Sequence, residues 1–119
     1  MTSLPCRLKR FVGALALAGL TGLATAEVRI NEFMASNSDG LADEDGAFSD
    51  WIELHNDGST PINLAGWFLT DSAIVPTKWT FPATNLPSGG YLVVFASEKD
   101  RRIPGLPLHA NFRLAADGE

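Results

Sequence analysis

Cysteine is almost absent from this sequence of 119 residues, since Cys6 is the only one. If the first 26 residues are removed, no cysteine remains and no disulfide bond can stabilise the fold. Basic residues are also few, and three of the nine lie in residues 1–26, where no acidic residue occurs. The segment from residue 27 onward therefore holds six basic and 14 acidic residues, a formal net charge of −8. Such a charge disfavours binding to nucleic acid and to anionic membrane surfaces.

Sequence motifs of catalysis are missing as well. The chain has no Gly-Xaa-Ser-Xaa-Gly nucleophile elbow and no glycine loop that would cradle a phosphate at a helix N-terminus. His55 and His109 are far apart in the sequence, their spacing predicts no zinc or acid–base site, and both are expected on the surface. No segment after residue 26 keeps a helical period for three turns. We therefore expect a nearly all-β domain that is not an enzyme.

The chain begins with the pattern of a secretory signal peptide. Three basic residues between positions 7 and 10 precede an uncharged apolar stretch over residues 11–23, and Ala24-Thr25-Ala26 follows with the A-x-A form. Cleavage is therefore predicted between Ala26 and Glu27. The apolar stretch is shorter than the about 20 residues of a membrane span, although an uncleaved N-terminal anchor is the alternative. We expect a signal peptide over residues 1–26, a domain over 27–119, and a protein that is secreted or held in the cell envelope.

The segment after residue 26 contains short strand-like runs between turn signals, which is the spacing of a β-sandwich or barrel. Strands are predicted where apolar and polar residues alternate or where an apolar run lies between turns, over residues 28–33, 51–56, 62–64, 67–70, 78–81, 91–95 and 111–114. The run Tyr91–Phe95 is expected to be buried. Trp67 is expected in the core. Trp51 and Trp79 have polar neighbours and are expected to be partly exposed, where they could stack on a carbohydrate.

Five segments together resemble the lamin tail domain family, an immunoglobulin-like module found at the tail of nuclear lamins and widely in secreted bacterial proteins. In chain order the segments are Ile30-Asn-Glu-Phe33, Trp51-Ile-Glu-Leu-His-Asn56, Ile62-Asn-Leu-Ala-Gly-Trp67, Lys78-Trp-Thr-Phe-Pro82 and Leu86-Pro-Ser-Gly-Gly-Tyr-Leu-Val-Val-Phe95. The resemblance covers nearly all of residues 27–119. It implies an immunoglobulin-like β-sandwich with no catalytic residues of its own.

The resemblance implies a non-catalytic interaction or adhesion module of an exported, bacterial-type protein, forming the N-terminal part of a larger surface or secreted protein. Its partner would be a protein or a carbohydrate at the cell surface, and it would need no cofactor, bind no nucleic acid and have no stable membrane span. An alternative is an accessory domain of a secreted hydrolase or kinase-like protein whose catalytic part lies beyond Glu119. Family members continue past the equivalent of Gly118-Glu119 with a strand that closes the sandwich. That strand is therefore expected beyond Glu119, and the first strand, residues 28–33, is expected to offer an exposed edge for association.

The acidic loop over residues 39–50 is the strongest candidate binding site. Asp43, Asp45 and Asp50 offer the hard oxygen ligands that calcium prefers, and Gly46 permits a sharp turn. The spacing does not match the EF-hand loop, which ends in a bidentate Glu. A calcium-dependent structural or adhesive module is therefore one hypothesis, and a solvated acidic loop is the alternative.

Overall fold

The computed structural model describes residues 16–18, as backbone only, and residues 27–115. In these residues the secondary structure consists of nine strands, without a helix. The strands are β1 (Ala16–Ala18), β2 (Val28–Met34), β3 (Asp50–Asn56), β4 (Ile62–Asn63), β5 (Phe68–Thr70), β6 (Trp79–Thr80), β7 (Asn85–Leu86), β8 (Tyr91–Ala96) and β9 (Leu108–Ala110).

The described strands form three sheets. A four-stranded sheet has the order β2-β3-β8-β9, a three-stranded sheet the order β1-β5-β6, and a two-stranded sheet pairs β4 with β7. Neighbouring strands are antiparallel except β8 and β9, which are parallel. The all-β, immunoglobulin-like sandwich that the sequence predicts is confirmed. Among the described strands β2 lies at an edge of its sheet, as expected.

One hydrophobic core joins the three sheets. Because side chains alternate along a strand, every second residue of β3 and β8 points inward, and the smaller sheets cover these residues from the other side. The large apolar side chains that are fully buried are Ile52, Leu54, Leu64, Leu69, Trp79, Leu86 and Val94. The predicted burial of the run 91–95 is correct for Val94 and Phe95, whereas Tyr91 is exposed and residues 92 and 93 are half-buried.

A bulge in β2 changes which of its side chains face the core. Ile30 has a partner in β3, and the next paired residue is Glu32, opposite Glu53, so Asn31 is an extra residue in the ladder. The bulge shifts the alternation by one position, and Phe33 therefore reaches the core. The Asn31 side-chain amide donates to Glu53 Oε1 at 2.9 Å, which places a donor beside two opposed carboxylates.

The predicted last strand, residues 111–114, is wrong. The strand is Leu108–Ala110, in a segment for which no strand was predicted, and residues 112–115 have no regular structure. His109 pairs through its backbone with Arg101, at N···O distances of 2.9 and 3.0 Å, while β9 also pairs with β8. Phe112 and Leu114 are nevertheless buried in the core, and this burial explains the alternation that predicted a strand.

One of the three tryptophans differs from its expected position. Trp79 is fully buried: its Nε1 donates to Asp100 Oδ1 at 3.0 Å, and its ring meets Phe81 edge to face at 4.9 Å between centroids. The expected partial exposure of Trp79 is therefore wrong. Side chains alternate along a strand, so Trp79 faces the core although its sequence neighbours, Lys78 and Thr80, are polar. Trp51 is half-buried, and Trp67 is half-buried against the core. Trp79 is not available as part of a carbohydrate platform.

Candidate binding site

The acidic loop between β2 and β3 is held in shape by its own polar groups. The Asn37 Nδ2 donates to the carbonyl oxygens of Leu41 at 2.7 Å and Ser49 at 3.0 Å, which ties the two sides of the loop together. Gly46 has φ +81°, and its N–H donates to the carbonyl oxygen of Asp43 at 2.9 Å. The sharp turn predicted at Gly46 is confirmed, and glycine adopts this conformation without steric cost.

Asp43 lies at the centre of the loop with its side chain buried. Its Oδ1 accepts backbone N–H groups from Asp45 at 2.9 Å and Ala47 at 3.0 Å. Its Oδ2 accepts from Ser49 Oγ at 2.8 Å and from Lys99 Nζ at 2.7 Å. Burial acts to raise the pKa of the Asp43 carboxyl, but the hydrogen bonds, that of Lys99 first among them, outweigh it and hold the pKa far below its usual range. Asp43 is therefore a saturated, ionised carboxylate.

Two cations from the loop between β8 and β9 reach the acidic loop. Lys99 Nζ lies 2.8 Å from Asp45 Oδ2, and Arg101 contacts Glu44 Oε2 at 2.6 Å and Asp45 Oδ2 at 2.8 Å. The hydrogen bonds from Lys99 and then Arg101 lower the pKa of Asp45, and the carboxylates they contact raise the pKa of both cations. Residues 54 positions apart in the sequence are thereby joined.

His109 adds a third contact to the acidic loop, from β9, and is fully buried. Its Nε2 lies 2.8 and 3.0 Å from the two carboxylate oxygens of Glu44, and its Nδ1 lies 2.7 Å from Ser97 Oγ. The Glu44 carboxylate accepts from Nε2–H, because an ionised carboxylate has no hydrogen to donate. The hydrogen bond from His109 is the main cause of a lowered Glu44 pKa. The expected exposure of His109 is wrong, because these partners compensate its burial.

We refer to Asp43, Glu44, Asp45, Ser97, Lys99, Arg101 and His109 together as the clamp. Its serine, imidazole and carboxylate lie in a row, as in some nucleophilic enzymes. Here Ser97 Oγ also accepts the N–H of Lys99 at 3.1 Å and is directed at a buried imidazole. Glu44, at the other end of the row, is already paired with Arg101. The row gives the buried imidazole its hydrogen-bond partners and attaches two loops to β9. Its role is therefore structural.

The predicted calcium ligands do not converge as one group. Asp43 and Asp45 lie close together, but they share one lysine ammonium group, with N···O distances of 2.7 and 2.8 Å. Asp50 instead accepts backbone N–H groups, from Asn37 at 3.3 Å and from Leu114 at 3.2 Å. Asp50 thus joins the acidic loop to the end of the described chain.

A different set of residues has the spacing of metal ligands. Within the described residues, ligand atoms of Asp43, Glu44 and His109 all lie within 4.8 Å of one another. Lys99 and Arg101 already supply positive charge to the two carboxylates. A cation bound by this set would have to displace contacts of these two side chains.

An open cleft of about 460 Å³ adjoins the clamp. Its lining combines hydroxyl and amide groups with two cations, the carboxylate of Asp50 and one aromatic ring. The lining residues are Ser36, Asn37, Ala47, Phe48, Ser49, Asp50, Ala96, Ser97, Lys99, Arg113 and Leu114. Such a lining suits a polar group of a partner more than a purely apolar one.

Large apolar side chains are exposed on both loops that the clamp joins. Leu41 and Phe48 lie in the acidic loop, Ile103 and Leu106 lie in the loop between β8 and β9, and each is between 47% and 59% exposed. Asp50 at the start of β3 is paired with the last residue of β8, so both loops leave the sandwich at the same end. We call this region, with its four apolar side chains, the loop end. Binding residues are often found on loops that a rigid scaffold positions, and exposed apolar side chains on such loops are candidates for contact with a partner.

Comparison with known protein families assigns the chain. The lamin tail domain matches residues 22–118, which is most of the sequence. The chain belongs to the lamin tail domain family. Lamin tail domains are non-catalytic, immunoglobulin-like modules, in agreement with the sandwich and with an interaction role. Searches of curated proteins and of solved structures found no match.

The N-terminal predictions fall mostly outside the described residues. Of the predicted signal peptide, only Ala16–Ala18 is described, as β1, and Ala26 of the predicted cleavage site lies outside. Cleavage before Glu27 therefore stays a prediction. In the part of the chain that the structure describes, no helix is long and apolar enough to cross a membrane.

Proposed function

We propose that this lamin tail domain is an exported interaction module that binds a protein partner through its loop end. Membership of a non-catalytic family supports the interaction role. The signal-peptide pattern supports a location outside the cytoplasm, in secreted form or in the cell envelope.

The loop end is the observation that carries this proposal. Leu41, Phe48, Ile103 and Leu106 are exposed on two loops that buried and half-buried ion pairs hold together. A surface that is already ordered loses less conformational entropy when a partner binds. Binding residues are commonly placed on loops that a rigid scaffold positions.

The cleft beside the clamp supplies the polar part of the same surface. Phe48 belongs to both the exposed apolar set and the cleft lining, and Arg113, which pairs with Glu98 at 3.2 Å, adds a cation to that lining. An apolar centre with a polar rim is the usual composition of a protein interface. We therefore expect a partner that covers Phe48 and places an acidic or hydroxyl group in the cleft.

Two substitutions and a matched control test the binding surface. Phe48→Ser with Ile103→Ser removes apolar area from both loops, whereas Tyr91→Ser removes a similarly exposed aromatic residue at the opposite end of β8. We expect the double variant to bind the cell-envelope fraction of the source organism at least about tenfold more weakly, or about 1.4 kcal/mol. The control should bind like the unchanged chain. Equal binding by all three proteins would contradict the proposal, and binding lost after glycosidase treatment of the fraction would indicate a carbohydrate partner instead.

Export is tested separately. Mass spectrometry of the protein recovered from the cell envelope or medium should find Glu27 at its N-terminus. Recovery of chains that begin at Met1, or of residues 11–23 retained in the membrane, would contradict cleavage.

A further inference from the structure

The outer edge of β5 is covered by residues that the exported chain is predicted to lose. Ala16–Ala18 runs antiparallel to Phe68–Thr70, with Leu17 opposite Leu69. The other edge of β5 pairs with β6. If cleavage after Ala26 removes β1, the backbone N–H and C=O groups along the outer edge of β5 lose their partners.

The β5 strand has other contacts that keep it in place. Leu69 belongs to the core, and Thr70 is also buried. The Thr70 Oγ1 donates to the carbonyl oxygen of Val75 at 2.7 Å and accepts the N–H of Ser72 at 3.0 Å. A strand held in this way, with one edge unpaired, is a template for a strand from another chain.

The segment that pairs with this edge indicates which kind of strand it accepts. The segment seated there is Ala-Leu-Ala, which is small, aliphatic and uncharged. Asp71, the residue directly after β5, forms an ion pair with Lys78 at 2.8 Å, so its charge is neutralised. An extended aliphatic segment fits these features better than a charged one.

We propose that the outer edge of β5, Phe68–Thr70, is a strand-acceptor site for an extended aliphatic peptide segment in antiparallel orientation. The chain's own residues 16–18 occupy the site before cleavage. A segment of the same chemistry from a partner protein occupies it afterwards. This inference rests on the proposed export, because cleavage is what frees the edge.

The occupancy before cleavage is tested in the full chain. In a Cys6→Ser background, Ala18→Cys with Phe68→Cys places two thiols on directly opposed residues. The matched control, Ala16→Cys with Phe68→Cys, displaces one thiol by two residues, about 7 Å along the strand. We expect oxidation to cross-link the opposed pair at least about tenfold faster than the displaced pair, since a disulfide requires Cβ atoms about 4 Å apart. Equal rates would show that residues 16–18 do not occupy this edge and would overturn the proposal.

The free edge is tested with a defined probe. A protease recognition sequence between Ala26 and Glu27 allows cleavage of the purified chain, and the probe is a fluorescent peptide of residues 13–20 with lysines at both ends for solubility. We expect the cleaved chain to bind the probe at least about tenfold more tightly than the uncleaved chain locked by the 18–68 disulfide. A probe with Asp in place of Leu17 should bind at least about tenfold more weakly than the original. Equal binding by cleaved and locked chains would overturn the proposal.

The cleaved chain also requires a check of its fold. If circular dichroism shows loss of structure after cleavage, the probe should restore it in a concentration-dependent way, and failure to do so would overturn the proposal. Because cleavage is performed in vitro, absent probe binding refutes the acceptor site alone. Chains retained uncleaved inside the cell would instead refute export.

Discussion

Replacement of Asp43 by Asn should weaken the whole domain, because the clamp depends on this buried carboxylate. Asp43 accepts four hydrogen bonds, one of them from an ammonium group at 2.7 Å. An asparagine of nearly the same shape can keep the two backbone N–H bonds through its single oxygen. Its amide nitrogen can donate to the Ser49 hydroxyl but cannot accept from Lys99, so the ammonium group loses a partner.

The expected magnitude follows from the lost charged hydrogen bond. Hydrogen bonds to charged groups contribute about 1.5–3 kcal/mol each, and Lys99 retains Asp45 at 2.8 Å as partial compensation. We therefore expect Asp43→Asn to lower the free energy of unfolding by about 2 kcal/mol. For a domain of this size that corresponds to a melting temperature about 8–16 °C lower.

Asp39→Asn is the matched control, because Asp39 is exposed in the same loop and carries the same charge. Thermal melts and urea unfolding of the two variants at neutral pH decide the question. Asp39→Asn should change stability by less than about 0.5 kcal/mol, as surface substitutions usually do. If both variants were within about 0.5 kcal/mol of the unchanged protein, the clamp would not stabilise the domain and the reasoning would be refuted.

Three further predictions concern acid, packing and calcium. The pKa of Asp43 in the folded protein lies below its ordinary value of 3.8. Its contribution to stability is therefore present above that value and is lost as the pH falls through the folded pKa. Urea unfolding from about pH 5 downward should show a steeper loss of stability in the unchanged protein than in Asp43→Asn. Val94→Ala should lower the free energy of unfolding, measured in urea, by about 2 kcal/mol because Val94 is fully buried. Leu92→Ala should lower it less because Leu92 is half-buried. The reverse order would contradict the packing of β8. If calcium binds through Asp43, Asp45 or Asp50, millimolar calcium must raise the melting temperature, and an unchanged melt would remove that hypothesis.

The strands were largely predictable because local patterns decide them. Alternation over residues 51–56 and the apolar run at 91–95 predicted β3 and β8, which form the centre of the larger sheet. The bulge at Asn31 was not predictable from alternation, since it depends on how β2 pairs with β3. The prediction of a strand at 111–114 failed because alternating burial there arises from packing against the core, without a strand neighbour.

Only the acidic loop of the clamp was predictable from the sequence. The acidic loop and its turn at Gly46 were identified, but their partners lie more than 50 positions away in sequence. A signal does exist: Lys99, Arg101 and Arg102 are half of the six basic residues after residue 26, and they form one cluster. In a segment this acidic, such a cluster favours a structural partner for the acidic loop over a bound cation. The burial of His109 had no local signal, because Glu44 and Ser97 reach it from two other segments.

The central claim is that the domain is exported and binds its partner through the loop end. Labelling of intact cells tests this claim most directly. Single-cysteine chains in the Cys6→Ser background carry Ile103→Cys at the loop end or Tyr91→Cys at the opposite end of β8, both at positions that are more than half exposed. A charged maleimide that does not cross membranes should label Tyr91→Cys readily and Ile103→Cys poorly on cells. Both should react equally once the chains are purified. Equal labelling of the two positions on cells would contradict engagement of the loop end, and labelling of neither until the cells are lysed would contradict export.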